Sequence, residues 1–328
     1  MDESLAQIPL PDFAAETPTD AAKKLNQHGF VLLKGLVTVL RCEQIRQLVD
    51  LARTRAAPRD YTAIHRPQSR KDLPLSLHPF SSIIADLLEC QDSLLGKLIQ
   101  RIAGEEARLV EFASMTILPG AAAQPVHQDV HMASADQDAN ARYLTVFVSL
   151  CDVPSERGPM EIWCGTQNMY IPWKGTEAAD ISDCSACSEQ SDEDNGPVVA
   201  EDYEVEHEDE LTLKHMQAAT GIAQLTVGAG DVYVVDPRVL HRGRANLSLI
   251  PKQTLYLSFE ESAKHPLLGS TNSILGRYSG RFTLNDLRNA DRRDQKKNLE
   301  TETKRRKLDS ESSACIARGQ VEGTAGLP

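Results

Sequence analysis

The chain has 328 residues, 41% of them hydrophobic and 25% charged, which is the balance of a globular protein with a large core. Its net charge of −12 excludes a general nucleic-acid-binding surface, and no apolar run reaches membrane-spanning length. The 7 cysteines are odd in number and scattered, and Met1-Asp2-Glu3-Ser4 lacks the basic and apolar parts of a secretion signal, so a reducing compartment is expected.

Residues 1–18 carry Pro9, Pro11 and Pro18 and read as a loose tail. Residues 21–27 predict a short helix and Phe30-Val31-Leu32-Leu33 a strand. In 42–52, Ile45, Leu48 and Leu51 recur at helical spacing. Residues 56–75 are polar and contain proline, and read as a loop. One longer amphipathic helical stretch is predicted over 81–102, with Ile84, Leu87, Leu88, Leu95, Leu98 and Ile102 as its apolar side.

From Leu109 the pattern turns to strands, at 109–118, 126–132, 143–150, 160–163, 222–227, 232–235 and 254–259. Several short strands punctuated by Gly, Pro and Asp suggest a sandwich or barrel. Leu144, Val146, Val148 and Leu150 share one face of their strand, and Tyr143, Thr145, Phe147 and Ser149 the other. Leu255, Leu257 and Phe259 alternate in the same way with Thr254, Tyr256 and Ser258. The aliphatic faces are expected under helices and the mixed faces around a cavity, and Lys252 shares the cavity parity if its strand is regular.

Residues from about 174 to 215 form an acidic insert of low hydrophobicity, read either as a lid or partner surface or as a solvated excursion. Cys184 and Cys187 within it make a lone C-x-x-C, which is half of a zinc site at most. Residues 284–328 read as a charged, disordered tail. Lys304-Arg305-Arg306-Lys307 in that tail is a candidate nuclear import signal, so the expected location is cytoplasmic, nuclear or both. The terminal Ala325-Gly326-Leu327-Pro328 is not a peroxisomal signal.

The chemistry is concentrated in His127-Gln128-Asp129 and the distant His241. On a strand, residues two apart point to one face, so His127 and Asp129 can hold one metal together. Two histidines and one carboxylate are the facial ligand set of non-haem Fe(II) sites, which keep positions open for oxygen and a co-substrate. His131 shares the parity of His127 and Asp129 but is read as a neighbour, not a ligand. The flanking residues add Pro119-Gly120, Gln124-Pro125, Gly158-Pro159-Met160-Glu161-Ile162, and Gly230-Asp231-Val232-Tyr233-Val234-Val235-Asp236 leading to His241-Arg242-Gly243.

These segments resemble the phytanoyl-CoA dioxygenase family of Fe(II)/2-oxoglutarate oxygenases, from about Gly29 to Phe259. The resemblance implies a mainly β fold with some α (α+β). Its core would be a double-stranded β-helix of jelly-roll, cupin-like type, with N-terminal helices packed on the outer face, within a domain spanning 19–283. It also implies Fe(II), O2 and 2-oxoglutarate as cofactors, with ascorbate as a candidate reductant, and His127, Asp129 and His241 as the ligands. Where the family places an Arg for the far carboxylate of 2-oxoglutarate, this chain has Lys252. Arg244 and Arg242 are competing cations, and Thr145 and Ser258 are candidate hydrogen-bond donors to the co-substrate.

The expected reaction is hydroxylation of a C–H bond, with release of succinate and CO2. Asp129 favours hydroxylation over halogenation, which needs a vacant carboxylate position. The expected substrate is a small molecule or lipid-like compound, with no membrane partner. Two rival readings are a nuclear oxygenase acting on protein or nucleic acid, and an inactive oxygenase fold that only binds.

Overall fold

The computed structural model describes residues 7–61, 69–89, 93–130, 143–169, 210–261, 273–278 and 281–289. His131, Cys184, Cys187, the insert up to residue 209 and the basic run at 304–307 lie outside the described residues, so the readings made on them are not addressed by it.

The N-terminal layer is helical. Helix α1 (Pro18–His28) starts where the Thr17 hydroxyl accepts from the Asp20 amide at 3.2 Å, and Pro18 needs no amide partner there. It stops at Gly29, whose φ of 82° only glycine adopts without strain. Strand β1 (Phe30–Leu33) follows at once, then α2 (Val39–Arg55), capped by the Thr38 hydroxyl.

The polar stretch read as a loop contains a strand, β2 (Arg70–Pro74), paired with β3 (Arg108–Ile117). Arg70 and Asp72 are buried on the cavity side of the sheet. Their charges conceal the strand, because a pattern reading takes charge as exposure.

The single helix predicted over 81–102 is two helices, α3 (Ser81–Leu88) and α4 (Leu94–Ala103). Ser93 makes the break. Its hydroxyl donates to the Leu87 carbonyl at 2.8 Å and accepts from the Gly96 amide at 3.0 Å, so one side chain serves the end of one helix and the start of the next.

Strands β4 (Tyr143–Ser149), β5 (Met160–Trp163), β6 (Ile222–Gln224), β7 (Val232–Val235), β8 (His241–Gly243) and β9 (Lys252–Glu260) complete the sheets, with α5 (Glu210–Ala218) before β6. One antiparallel sheet has six strands in the order β1-β7-β4-β9-β3-β2, and the other has three in the order β6-β5-β8. Of the strand expected at 126–132, the described residues 126–130 form no strand; His127 makes an isolated bridge to His241.

The alternation seen in β4 and β9 decides the layering. Leu144, Val146, Val148, Leu255, Leu257 and Phe259 pack against the helices in one core. Phe30, Leu32, Ile162, Tyr233 and Val235 fill a second core between the sheets. Two such opposed antiparallel sheets are the jelly-roll core expected above.

Two boundaries differ from the sequence reading. Within the expected N-terminal tail, Phe13 is fully buried against Phe30, and the Ala15 amide donates to the Leu32 carbonyl at 3.0 Å. Within the expected C-terminal tail, residues 284–288 form helix α6 (Leu284–Arg288), docked on α3. There Arg288 donates to the Leu88 carbonyl at 3.1 Å, which the end of α3 leaves open, and also to the Gly96 carbonyl of α4 at 2.7 Å.

Candidate metal centre and cavity

The segment 124–129 runs antiparallel to β8. The Gln124 amide donates to the Gly243 carbonyl at 2.9 Å, and the backbones of His127 and His241 exchange two hydrogen bonds of 3.0 Å. The Asp129 amide donates to the Pro237 carbonyl at 2.9 Å. The turn bearing Pro237 is held by a buried bidentate pair, Arg238 to Asp236, with contacts of 2.9 and 2.7 Å. Backbone pairing thus brings two ligand-bearing segments, far apart in the sequence, to one point.

At that point His127, Asp129 and His241 present one donor atom each, all within 4.8 Å of one another. Each histidine has its Nδ1 on a backbone carbonyl, His127 on Pro125 at 2.9 Å and His241 on Val239 at 3.0 Å. That contact makes Nδ1 the protonated nitrogen and leaves the Nε2 lone pair for a metal. The two Nε2 atoms lie 3.5 Å from opposite oxygens of Asp129. Burial pushes His241 below the usual histidine range and Asp129 partly offsets this, while His127 adds to the lowering. A neutral imidazole is the form that binds a metal. The donor set therefore fits a divalent transition metal by atom type, tautomer and spacing.

The donors open into a cavity walled by Glu111 and Met115 of β3, Gln124 and Val130, Tyr143, Thr145 and Phe147 of β4, Met160, Pro237, and Tyr256 of β9. The mixed faces of β4 and β9 do line it. Thr145 and Ser258 are 3.0 Å apart and bonded to each other, and Ser258 donates to Glu111 at 2.5 Å. Their hydroxyls are thus turned to a carboxylate.

Lys252 and Arg244 are not among the residues lining this cavity. Arg244 lies on the opposite face of β8 from His241, where it and Arg242 grip Glu161 at 3.0 and 2.7 Å. Arg244 also donates to Gln224 at 2.7 Å, so it is a clamp between strands. Its expected co-substrate contact has no support in the structure, because strand parity turns it away.

Lys252 is buried and donates to the Gly158 carbonyl at 2.9 Å. Burial, and then the charge of Arg70, push its ammonium down to about 8. Arg70 itself reaches the Ala122, Gly243 and Arg244 carbonyls at 2.6, 3.2 and 2.9 Å. A Cβ added to Gly243 would lie 2.7 Å from Gln124 Oε1 and 2.8 Å from Arg70 Nη1, so the missing side chain lets both approach β8. The Gln124 end of the cavity therefore abuts Arg70, whose charge Lys252 feels in turn.

Sequence reasoning missed Arg70 and Glu111. Arg70 lay in a presumed loop. Glu111 was detectable as a lone acid inside an apolar strand, between Val110 and Phe112.

The family model of phytanoyl-CoA dioxygenase (PhyH) matches residues 25–254 of this chain. Among solved structures, the chain is similar to the non-heme α-ketoglutarate-dependent epimerase SnoN from nogalamycin biosynthesis. Identity is 14% and the TM-score 0.52, over 75% of this chain and 81% of that one. It is also similar to the non-heme α-ketoglutarate-dependent carbocyclase SnoK from the same biosynthesis, at 15% identity and a TM-score of 0.50, over 75% of this chain and 87% of that one. At these identities the likeness is one of fold.

Proposed function

The chain belongs to the phytanoyl-CoA dioxygenase family, and from that premise we propose that it is an Fe(II)- and 2-oxoglutarate-dependent oxygenase that hydroxylates a C–H bond of a small molecule. The observation that carries the reading is the donor geometry at Asp129, with one histidine Nε2 at 3.5 Å from each carboxylate oxygen. His127, Asp129 and His241 would hold the metal. Bound there, Fe(II) with 2-oxoglutarate and O2 supplies oxidative decarboxylation to succinate and CO2, with one oxygen atom passing to the substrate.

The chain's own part is to hold and orient. The Pro125 and Val239 carbonyls fix both imidazole rings through Nδ1. Lys252 remains the candidate for the far carboxylate, now with Arg70 beside it. A buried ammonium lowered by burial and a neighbouring cation gains most from an arriving anion. Thr145 and Ser258, expected as co-substrate contacts, serve Glu111 instead in this reading. The cavity walls, formed by β3, β4 and β9, would place the target bond and exclude water.

The retained ligand geometry supports an active enzyme over an inactive binding fold. A nuclear substrate rests on 304–307 alone, and no described helix is long and apolar enough to cross a membrane. The test is an anaerobic titration with Fe(II) and then 2-oxoglutarate. The expected result is a visible metal-to-ligand charge-transfer band that is lost in Asp129→Ala. A wild-type chain that binds neither would overturn the reading.

A further inference from the structure

Gln124 is pinned through its backbone and again through its side chain. Pro125 biases the residue before it to extended backbone, which keeps Gln124 alongside β8. The Gln124 amide donates to the Gly243 carbonyl at 2.9 Å. The side chain then turns back on the same residue, where Oε1 accepts from the Gly243 amide at 3.2 Å. Such an approach needs a bare Cα opposite, because a Cβ on Gly243 would lie 2.7 Å from that oxygen.

A backbone N–H can face only the oxygen end of a carboxamide, so this contact fixes which way the group points. The amino end, with two N–H donors, is left over, and no hydrogen bond among the described residues uses it. Gln124 is half-buried and lines the cavity. Three residues further on, His127 bridges His241. The Arg70 guanidinium shares the space over Gly243, with Nη1 at 2.8 Å from the position of the added Cβ. Gln124 therefore neighbours both the ligand segment and a buried cation. The hydroxyls expected as co-substrate donors are engaged elsewhere, Thr145 with Ser258 and Ser258 with Glu111. A keto acid that leaves water brings carboxylate oxygens that need donors.

We infer that Gln124 binds the co-substrate, donating from Nε2 to one of its carboxylate oxygens. This rests on the reading of the site as an Fe(II)/2-oxoglutarate centre. It adds a neutral donor of fixed direction, which selects an oxygen acceptor without adding charge beside Arg70.

The test compares Gln124→Glu and Gln124→Leu with the wild-type full chain. Each is loaded with Fe(II) and titrated anaerobically with 2-oxoglutarate, followed at the charge-transfer band. Gln124→Glu keeps an oxygen for the Gly243 amide, and so keeps the fold, but sets a second oxygen where the donors stood. Gln124→Leu removes both ends. Loss of a hydrogen bond to a charged group should weaken 2-oxoglutarate about ten- to a hundred-fold in Gln124→Leu. The loss should be greater in Gln124→Glu, where like charges meet. Iron affinity measured without 2-oxoglutarate, by isothermal titration, should stay at the wild-type value, because backbone pairing places His127. If Gln124→Leu does not fold, Gln124→Glu alone decides. Unchanged 2-oxoglutarate affinity in folded Gln124→Glu overturns the inference, as does a loss of iron affinity large enough to account for the whole effect. Absence of the band in the wild type is the separate failure of the parent reading, and removes the proposed contact with it.

Discussion

His127 and His241, 114 positions apart in the chain, exchange both of their backbone hydrogen bonds at 3.0 Å while their rings lie 4.5 Å apart between centroids. The backbone, not the side chains, sets their separation. His127→Ala should therefore abolish the Fe(II)–2-oxoglutarate band and leave the metal-free fold intact. Asp129→Ala should lose metal to the same degree, since it faces both imidazoles. Iron binding by isothermal titration and metal-free thermal melts check this. Wild-type-like iron affinity in both variants would sink the ligand assignment.

In the proposed role at the far carboxylate, Lys252 would make the co-substrate grip pH-dependent. An ordinary lysine titrates at 10.5, and this one is pushed down to about 8, by burial first and Arg70 second. Only its protonated form attracts a carboxylate. The 2-oxoglutarate affinity should be flat below pH 8 and fall above it by about ten-fold per unit, until the higher value of the bound state is reached. Lys252→Ala should weaken 2-oxoglutarate by about a hundred-fold or more, with iron binding retained. Lys252→Arg should remove the pH dependence, because guanidinium stays charged. Equilibrium titrations from pH 6.5 to 9.5 measure all three, and a flat wild-type profile would remove Lys252 from the role.

The Asp236–Arg238 pair is buried and bidentate, with side chains 12% and 7% exposed. Arg238→Ala leaves the Asp236 carboxylate without its main partner in a sheltered turn. The loss should be about 3–5 kcal/mol of unfolding free energy in chemical denaturation. Because Pro237 in the same turn accepts the Asp129 amide, metal affinity should drop as well. A change below about 1 kcal/mol would mean that the turn is held by its backbone alone.

Gly29 carries the turn from α1 into β1, and a Cβ there would lie 2.5 Å from Val239 Cγ2. Gly29→Ala combines left-handed backbone strain with overpacking, at a cost of roughly 2–4 kcal/mol. The Val239 carbonyl holds the His241 ring, so the variant should also weaken metal binding. Denaturant midpoints and iron titration on the same sample check both effects.

The sequence by itself was sufficient wherever local pattern and final environment agree. Strands 30–33, 160–163 and 232–235 match the structure residue for residue, because short apolar runs bounded by turn residues have few alternatives. The two faces of β4 and β9 were legible from alternation, since one wall meets helices and the other a polar cavity. The H-x-D spacing and the distant histidine named a candidate ligand set, which the structure brings together within 4.8 Å.

Tertiary structure alone decided the rest. Arg70 and Asp72 sit in a buried strand that its own charges disguise, because backbone carbonyls and hydroxyls from elsewhere in the chain help to make burial tolerable there. Arg244 looked like a co-substrate cation by its closeness to His241 in sequence, yet the parity of β8 sends it to Glu161. Glu111 faces the cavity only because Val110 is extra in the ladder, and a bulge depends on the partner strand rather than on the residues that carry it. Each of these outcomes is set by a pairing between segments far apart in sequence, and local periodicity holds no record of which strand will lie alongside.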